Sequence, residues 1–379
     1  MSPYSLCLAF GLSRALADFQ DASALFQVQV GSIDPSLAGV SAAGPVSLAQ
    51  DEDAFDHQPQ IIRGPKPATE WEMKRIKTER SDMKLYSFNT TDLYLYGFPA
   101  EDDQSISGTL NRGKMWEGGS VGFFCEFLKS FPQRVDFLDV GANIGTWTIP
   151  LADCIRKKGF GGRVVAVEAL KPIVEHLEAS VVKNQLTNMV DVFNYAVGAE
   201  KVVVNGTKIE APDEVKMNED ATNKGGSSIV KSGKVSVVKS ARLTSMDEIL
   251  AHRGYRFAAM KMDIEGYEGQ AWRSARSLIK NPPCMLSIEL NRKWLTSAGT
   301  PVEEVVGLLS DAGFEVPKAD TIQGLFNTVL YQRDMPRCMG RFNGTWPIPA
   351  YERRQHDAQR RHEAFKQWRA SSKQPEGSQ

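Results

Sequence analysis

The sequence predicts an α/β protein built on a mostly parallel sheet with helices on both faces, and three observations predict it. Short apolar, β-branched runs alternate with helix-like segments from Val121 to about Asp334, the pattern of strands joined by crossover helices. One run ends in the turn Asp139-Val140-Gly141-Ala142-Asn143-Ile144-Gly145 before a helix-like segment. Such glycine-punctuated turns bind nucleotides, although they also join strands to helices for structural reasons alone. A second run, Val164-Val165-Ala166-Val167, ends in Glu168, 23 residues after Gly145. A carboxylate at that strand end can accept both ribose hydroxyls of an adenosine-type ligand.

Residues 1–67 carry acidic residues, Gly, Pro, Ser and Gln without a sustained period and read as a flexible leader. Within it, Ser5 to Leu12 is apolar and Ala15-Leu16-Ala17 resembles a cleavage site, but no basic residue precedes the run. A cytoplasmic location is therefore favoured over a secretory one. Asn-x-Ser/Thr sequons stand at Asn89, Asn205 and Asn343. Residues 68–120 read as a small cap, strand-like over 87–96 and loop-like over 105–116. The core, 121–335, reads helix 121–131, strand 134–140, helix 146–158, strand 163–168, helix 172–184 and strand 190–196. An irregular polar insertion follows over 198–240, containing Gly225-Gly226-Ser227-Ser228. Helix 245–252, strand 257–263, helix 268–279, strand 285–290, helix 302–313 and strand 327–332 complete the core. The charged tail, 336–379, includes a stretch from Tyr351 to Ala370 with six basic and three acidic residues, read as a solvated helix.

Composition is that of an ordinary globular protein: 42% hydrophobic, 24% charged, net charge -1. That balance argues against a nucleic-acid binder, which carries a basic excess. No apolar run approaches the roughly 18 residues of a membrane span. The five cysteines are widely spaced with no Cys-x-x-Cys pair, so neither a zinc site nor a disulfide framework is indicated. Cys154 and Cys284 are expected as small core residues. His176 and His252 are expected on helix surfaces.

The glycine spacing discriminates among nucleotides. A pyrophosphate cradle wants Gly-x-Gly-x-x-Gly, whereas positions 141, 143 and 146 are Gly, Asn and Thr. Asp-x-Gly-x-Asn-x-Gly instead suits S-adenosylmethionine, which has an amino-acid end and no phosphate. A second constellation is Lys261-Met262-Asp263-Ile264-Glu265-Gly266-Tyr267-Glu268. Alternation on a strand puts Lys261 and Asp263 on one face, near the strand ends where open α/β sheets place ligands. Glu289, ending another strand, reaches the same rim if the strands are neighbours. Charges gathered there either bind something or pair among themselves.

Together these segments resemble the FkbM family of S-adenosylmethionine-dependent methyltransferases. The matching stretches are Phe137 to Gly145, Val165-Ala166-Val167-Glu168, Asn194-Tyr195-Ala196-Val197-Gly198, Gly226-Ser227-Ser228, Thr244 to Glu248 and Lys261 to Glu268. The last is the most specific to the family. The chain departs from the family at Ala169, where proline commonly follows the acid, and at Met246, where leucine usually precedes the aspartate. The resemblance implies a Rossmann-like class I methyltransferase fold with a mostly parallel seven-stranded sheet. It implies O-methylation of a small molecule or carbohydrate. Asp139, Gly141, Asn143 and Gly145 are expected to hold the methionine end of the cofactor, Glu168 the ribose, and Asn194 to sit near the adenine. Asp263 is expected as base or substrate-orienting group, with Lys261, Glu265 and Glu289 in support and no metal assigned. A catalytically inactive S-adenosylmethionine-binding protein and a nicotinamide-dependent oxidoreductase are the alternatives, the latter lacking its pyrophosphate fingerprint.

Overall fold

A computed structural model of the protein describes residues 65–88, 91–159, 161–198, 202–204, 207–209, 214–220 and 235–344. The leader up to residue 64, the sequons at Asn89 and Asn205, the Gly225 to Ser228 stretch and the tail beyond 344 lie outside the described residues.

The described chain opens with the helix Glu70–Lys74, begun by a capping box between Thr69 and Glu72. Strands β1 (Lys84–Phe88) and β2 (Thr91–Gly97) form an antiparallel hairpin. That hairpin is bound edge-on to the helix Lys171–Lys183 and the residue after it. Tyr94 N–H donates to Asn184 Oδ1 at 3.0 Å, Asn184 Nδ2 donates to the Tyr94 carbonyl at 2.7 Å, and Tyr96 N–H donates to Ser180 Oγ at 2.8 Å. The stretch 105–116, expected as loop, contains the helix Ile106–Asn111. Asp103 accepts the Ile106 and Ser107 N–H groups, satisfying first-turn donors as an N-cap does.

The core then alternates close to expectation: helix Gly118–Lys129, β3 (Asp136–Val140), helix Thr148–Lys158, β4 (Val164–Glu168), helix Lys171–Lys183 and β5 (Val190–Asn194). The insertion departs from expectation. After β6 (Ala196–Val197) it forms β7 (Val202–Val204), β8 (Thr207–Ile209), β9 (Glu214–Asp220) and β10 (Val235–Thr244). β9 and β10 pair antiparallel, and β10 joins β6 in a three-stranded sheet. Among the described side chains of β9 and β10, Met217, Ala241 and Thr244 are buried, scattered positions that leave the alternation faint in the sequence.

Helix Met246–Leu250, β11 (Phe257–Met262), helices Glu268–Arg273 and Arg276–Lys280, and β12 (Met285–Asn291) follow. Helices Arg292–Ser297 and Val302–Asp311, β13 (Leu325–Tyr331) and helix Met335–Gly340 complete the fold. The single helix expected over 268–279 is broken at Ser274. Its hydroxyl donates to the Ala271 carbonyl at 2.8 Å and accepts Met246 N–H at 3.0 Å, diverting backbone hydrogen bonding.

The central sheet has six strands in the order β13-β12-β11-β3-β4-β5, all parallel except the edge strand β13. This corrects the expectation of seven. Among the described residues the place of the seventh strand is taken by an isolated bridge between Phe314 and Gln332, and Pro317 just beyond has no N–H to continue a ladder. Alternation divides the core into two layers. Phe137, Val164, Ala166 and Val192 pack under the helices Gly118–Lys129, Thr148–Lys158 and Lys171–Lys183. Leu138, Val140, Val165, Val167 and Met260 pack under Trp272, Val305 and Leu309 on the opposite face. The chain runs outward from β3 to β5 and returns to β11 on the other side of β3. The β3/β11 boundary is therefore the topological switch point, where open α/β sheets bind ligands.

The cysteine expectation is corrected. Cys125 pairs with Cys154 and Cys284 with Cys338. Separations of 29 and 54 residues carry no short-spacing signal, and only tertiary packing brings the sulfurs together. His176 is corrected as well: it is fully buried, its ring nitrogens 2.7 Å from the Pro172 carbonyl and 2.9 Å from the Asp82 carbonyl. His252 lies in the turn after the helix Met246–Leu250 and is partly exposed.

Candidate active site

A cleft of about 420 Å³ opens at the carboxyl ends of β3, β4, β11 and β12, a size suited to a nucleoside-sized ligand. Its floor is the turn after β3. Gly141 has φ 79 and Gly145 φ 96. A β-carbon on Gly141 would meet the Asp263 carbonyl oxygen at 1.8 Å, so the turn lies directly on the backbone leaving β11. Asn143, φ 53, bonds back on the turn, its Oδ1 accepting Ile144 N–H at 2.8 Å. Glu117, Asn143 and Glu265 all hold left-handed φ values of 50 to 56 and all line this cleft. Backbone strain of about 1 kcal/mol or more per residue gathers at sites where function demands the geometry.

Asp139 is completely buried. Thr148 Oγ1 donates to its Oδ2 at 2.6 Å, and its Oδ1 has no hydrogen-bond partner among the described residues. Burial raises its pKa, opposed by the Lys261 ammonium and the Thr148 hydroxyl. Glu168 lines the cleft at the end of β4. Its Oε2 accepts Asn143 N–H and its Oε1 accepts Leu170 N–H, each at 3.0 Å. Burial raises its pKa against these backbone donors. The amide of Asn194 is turned away, donating to the carbonyls of Glu168 at 3.1 Å and Ala169 at 2.8 Å. The residues after it, Tyr195, Ala196 and Val197, line the cleft.

On the other side of the floor, parallel pairing of β11 with β12 brings the predicted charged residues together. Lys261 Nζ donates to the Gly141 carbonyl at 2.9 Å and lies 3.2 Å from Asp263 Oδ2. Burial alone would lower its pKa, but Asp263, Asp139 and Glu117 outweigh burial and raise it. Carboxylate oxygens of Asp263, Glu265 and Glu289 lie within 4.8 Å of one another. Like charges so close cannot all ionise. Burial, the Asp263 charge and a hydrogen bond to Asp263 push Glu289 up to about 12, so it stands as the neutral acid. Burial would raise Asp263 too, but Lys261 and the Glu289 hydrogen bond hold it below the usual range. Burial and the charges of Asp263 and Glu268 lift Glu265 to about 8. Glu268 is completely buried, and its Oε1 accepts Ile264 N–H at 2.9 Å and Gly266 N–H at 3.3 Å.

A single cation could bridge that carboxyl trio, yet the Glu289 proton and the Lys261 ammonium already offset two of its charges. The donor set fits S-adenosylmethionine. A buried carboxylate stands at the β4 end, a glycine turn without the pyrophosphate spacing forms the floor, and the Asp139 oxygen without a hydrogen-bond partner among the described residues begins the same segment. Sequence reading missed further lining residues, among them Glu117, Trp147, Trp294, Leu325 and Asn327. None of these five stands in a motif, and only the crossover of helices and the antiparallel β13 brings them here.

Residues 139–316 match the family described as Methyltransferase FkbM domain. Among curated proteins, the 23S rRNA (uracil(1939)-C(5))-methyltransferases RlmD of two Acinetobacter baumannii strains, SDF and AB0057, are each 30% identical over 115 residues. The match covers 30% of this chain and 22% of theirs, so the chain spans about a fifth of the length of these relatives. Among solved structures, the chain is similar to an O-methyltransferase from Bacillus cereus in complex with SAH, at 13% identity and TM-score 0.30, covering 60% of this chain and 90% of that one. It is similar also to a SAM-dependent methyltransferase from Agrobacterium tumefaciens, at 10% identity and TM-score 0.34, covering 67% and 70%.

Proposed function

Since residues 139–316 form a methyltransferase domain of the FkbM family, we propose that this protein moves the methyl group of S-adenosylmethionine to a hydroxyl oxygen of a small molecule or sugar. The observation that carries this reading is the meeting of the glycine turn with Asp263, Glu265, Glu289 and Lys261 across the β3/β11 boundary. Bound S-adenosylmethionine supplies a methyl carbon already activated by a cationic sulfur, so in-line attack by oxygen breaks the carbon–sulfur bond and releases S-adenosylhomocysteine. The chain's tasks are alignment and removal of one proton.

Glu168 holds the ribose hydroxyls, and the turn from Gly141 to Gly145 carries the methionine end. Asp263, kept ionised by Lys261, accepts a hydrogen bond from the substrate hydroxyl and sets its direction. Glu265, whose carboxyl titrates near 8, takes the hydroxyl proton as the oxygen–carbon bond forms, its pKa lying close to neutral operating conditions. Glu289, neutral, donates to Asp263 and keeps that carboxylate from drifting. An acidic cleft on a chain of net charge -1 repels phosphate backbones, which favours a small molecule over RNA.

The test is titration of the purified protein with S-adenosylmethionine and with NAD, then transfer of labelled methyl groups to an extract with identification of the product. Binding of S-adenosylmethionine and an alkali-stable methyl ether in the product are expected. Failure to bind S-adenosylmethionine at millimolar concentration would sink the reading. Labelled nucleic acid as the product would replace the small-molecule substrate.

A further inference from the structure

Glu117 lies outside the matched residues, which begin at 139, and its carboxylate has no role in the methyl-transfer steps above. Its side chain lines the cleft. Its backbone sits at φ 50 immediately before the helix Gly118–Lys129, a conformation unfavourable for a residue with a β-carbon. Trp147 Nε1–H donates to its Oε2 at 2.6 Å, its one side-chain hydrogen bond among the described residues. The second oxygen, Oε1, is left with its acceptor capacity unused.

Position then decides what Oε1 can accept. Glu117 lines the same cleft as Gly141, Asn143 and Thr146, and the charges that act on it are those of Lys261, Asp263 and Asp139, so the carboxylate stands beside the glycine turn, on which the proposed function places the amino-acid portion of the cofactor. Lys261, the cation that acts on Glu117, already donates to the Gly141 carbonyl and pairs with Asp263. A carboxylate with a vacant oxygen at that end complements a primary ammonium, in a charge-assisted hydrogen bond roughly twice as strong as a neutral one. The Cys125–Cys154 disulfide joins the helix that Glu117 precedes to the helix that Trp147 precedes, so the pair is held in fixed register.

We propose that Glu117 binds the α-ammonium of S-adenosylmethionine, with Trp147 orienting the carboxylate. The inference rests on the cleft taking that cofactor, and the experiment separates the two. Calorimetric titration compares wild type with Glu117→Gln, whose amide oxygen can still accept from Trp147, using S-adenosylmethionine and 5′-methylthioadenosine, which lacks the amino-acid end. The variant should bind S-adenosylmethionine about tenfold or more weakly and 5′-methylthioadenosine as wild type does. Equal affinity of both proteins for S-adenosylmethionine would overturn the role of Glu117 while leaving the cofactor intact. A parallel loss for both ligands would overturn it too, reducing Glu117 to a shaper of the pocket. Wild type that binds neither ligand removes the cofactor reading and this inference with it. Should Glu117→Gln fail to fold, wild type alone decides: S-adenosylhomocysteine should bind about tenfold more tightly than its deaminated analogue, and equal binding would refute the contact.

Discussion

Gly141 and Asp263 touch through their backbones: a β-carbon on the glycine would sit 1.8 Å from the Asp263 carbonyl oxygen. The glycine turn and the carboxylate run are thus one packed unit, although 122 positions separate Gly141 from Asp263 in the chain.

Gly141→Ala must therefore push β3 and β11 apart as well as hold a strained φ of 79. Its unfolding free energy should fall by about 3 kcal/mol or more, with cofactor binding lost. Gly145→Ala meets instead the movable Leu177 Cδ1 at 2.6 Å and should lose less, about 1–2 kcal/mol. Urea denaturation of both variants checks the order, and a reversed order would refute it.

Lys261→Met leaves Asp139, Asp263 and Glu117 around an apolar side chain. Breaking a buried pair in this way costs about 3–5 kcal/mol. That loss should be greatest at pH 8 and shrink toward pH 5 as the abandoned carboxyls take up protons. A loss independent of pH would show that Lys261 acts by packing rather than by charge.

Glu265 gives the opposite sign from an ordinary surface acid. Its carboxyl is raised from 4.5 to about 8, so the protonated form is the one the fold prefers. Its stabilising contribution is complete below about pH 4.5 and is lost as pH climbs toward 8. Glu265→Gln should raise Tm at pH 8 by about 2 °C or more, and the gap should close near pH 5. The turnover rate of wild type should rise with pH through a midpoint near 8, a limb that Glu265→Gln should abolish. Retention of that limb would pass the proton-accepting role to another group.

The disulfides make a chemical prediction. With Cys125–Cys154 and Cys284–Cys338 closed, none of these four cysteines should alkylate in native protein from an oxidising preparation, read by peptide mass spectrometry. Opening each bridge should cost about 3–4 kcal/mol by loop entropy, measured as the fall in unfolding free energy of Cys125→Ser or Cys284→Ser. Alkylation of Cys154 or Cys284 without reductant would contradict the pairing.

The strands of the core are legible in the sequence because each is a run of buried residues, as in Val164 to Glu168, all five of which are buried. Glu168, Lys261 and Asp263 are legible because strand ends and alternation place them without knowledge of neighbours. Asn194 ends β5 where the sequence places it, but strand-end position does not say which carbonyls its amide meets. Glu117 and the cysteine partners are invisible for a related reason: their meaning lies in helix packing between segments 29 or more positions apart. Their surrounding sequence shows no period or spacing to reveal it. The helix Ile106–Asn111 is different, since Asp103 three positions ahead of Ile106 is a start signal that goes unread without its partners.

The Lys261 to Gly141 hydrogen bond closes a loop of 120 residues. An enclosure made at such a distance is among the late events of folding, because the entropy of closing the loop must be spent before the contact returns anything. Neither half of the chain alone owns a cofactor pocket, and an arrested chain lacking β11 would expose the glycine turn with nothing above it. Cofactor affinity is thereby a reporter of completed assembly, and free S-adenosylmethionine, by binding only the finished sheet, would draw the chain toward it by mass action.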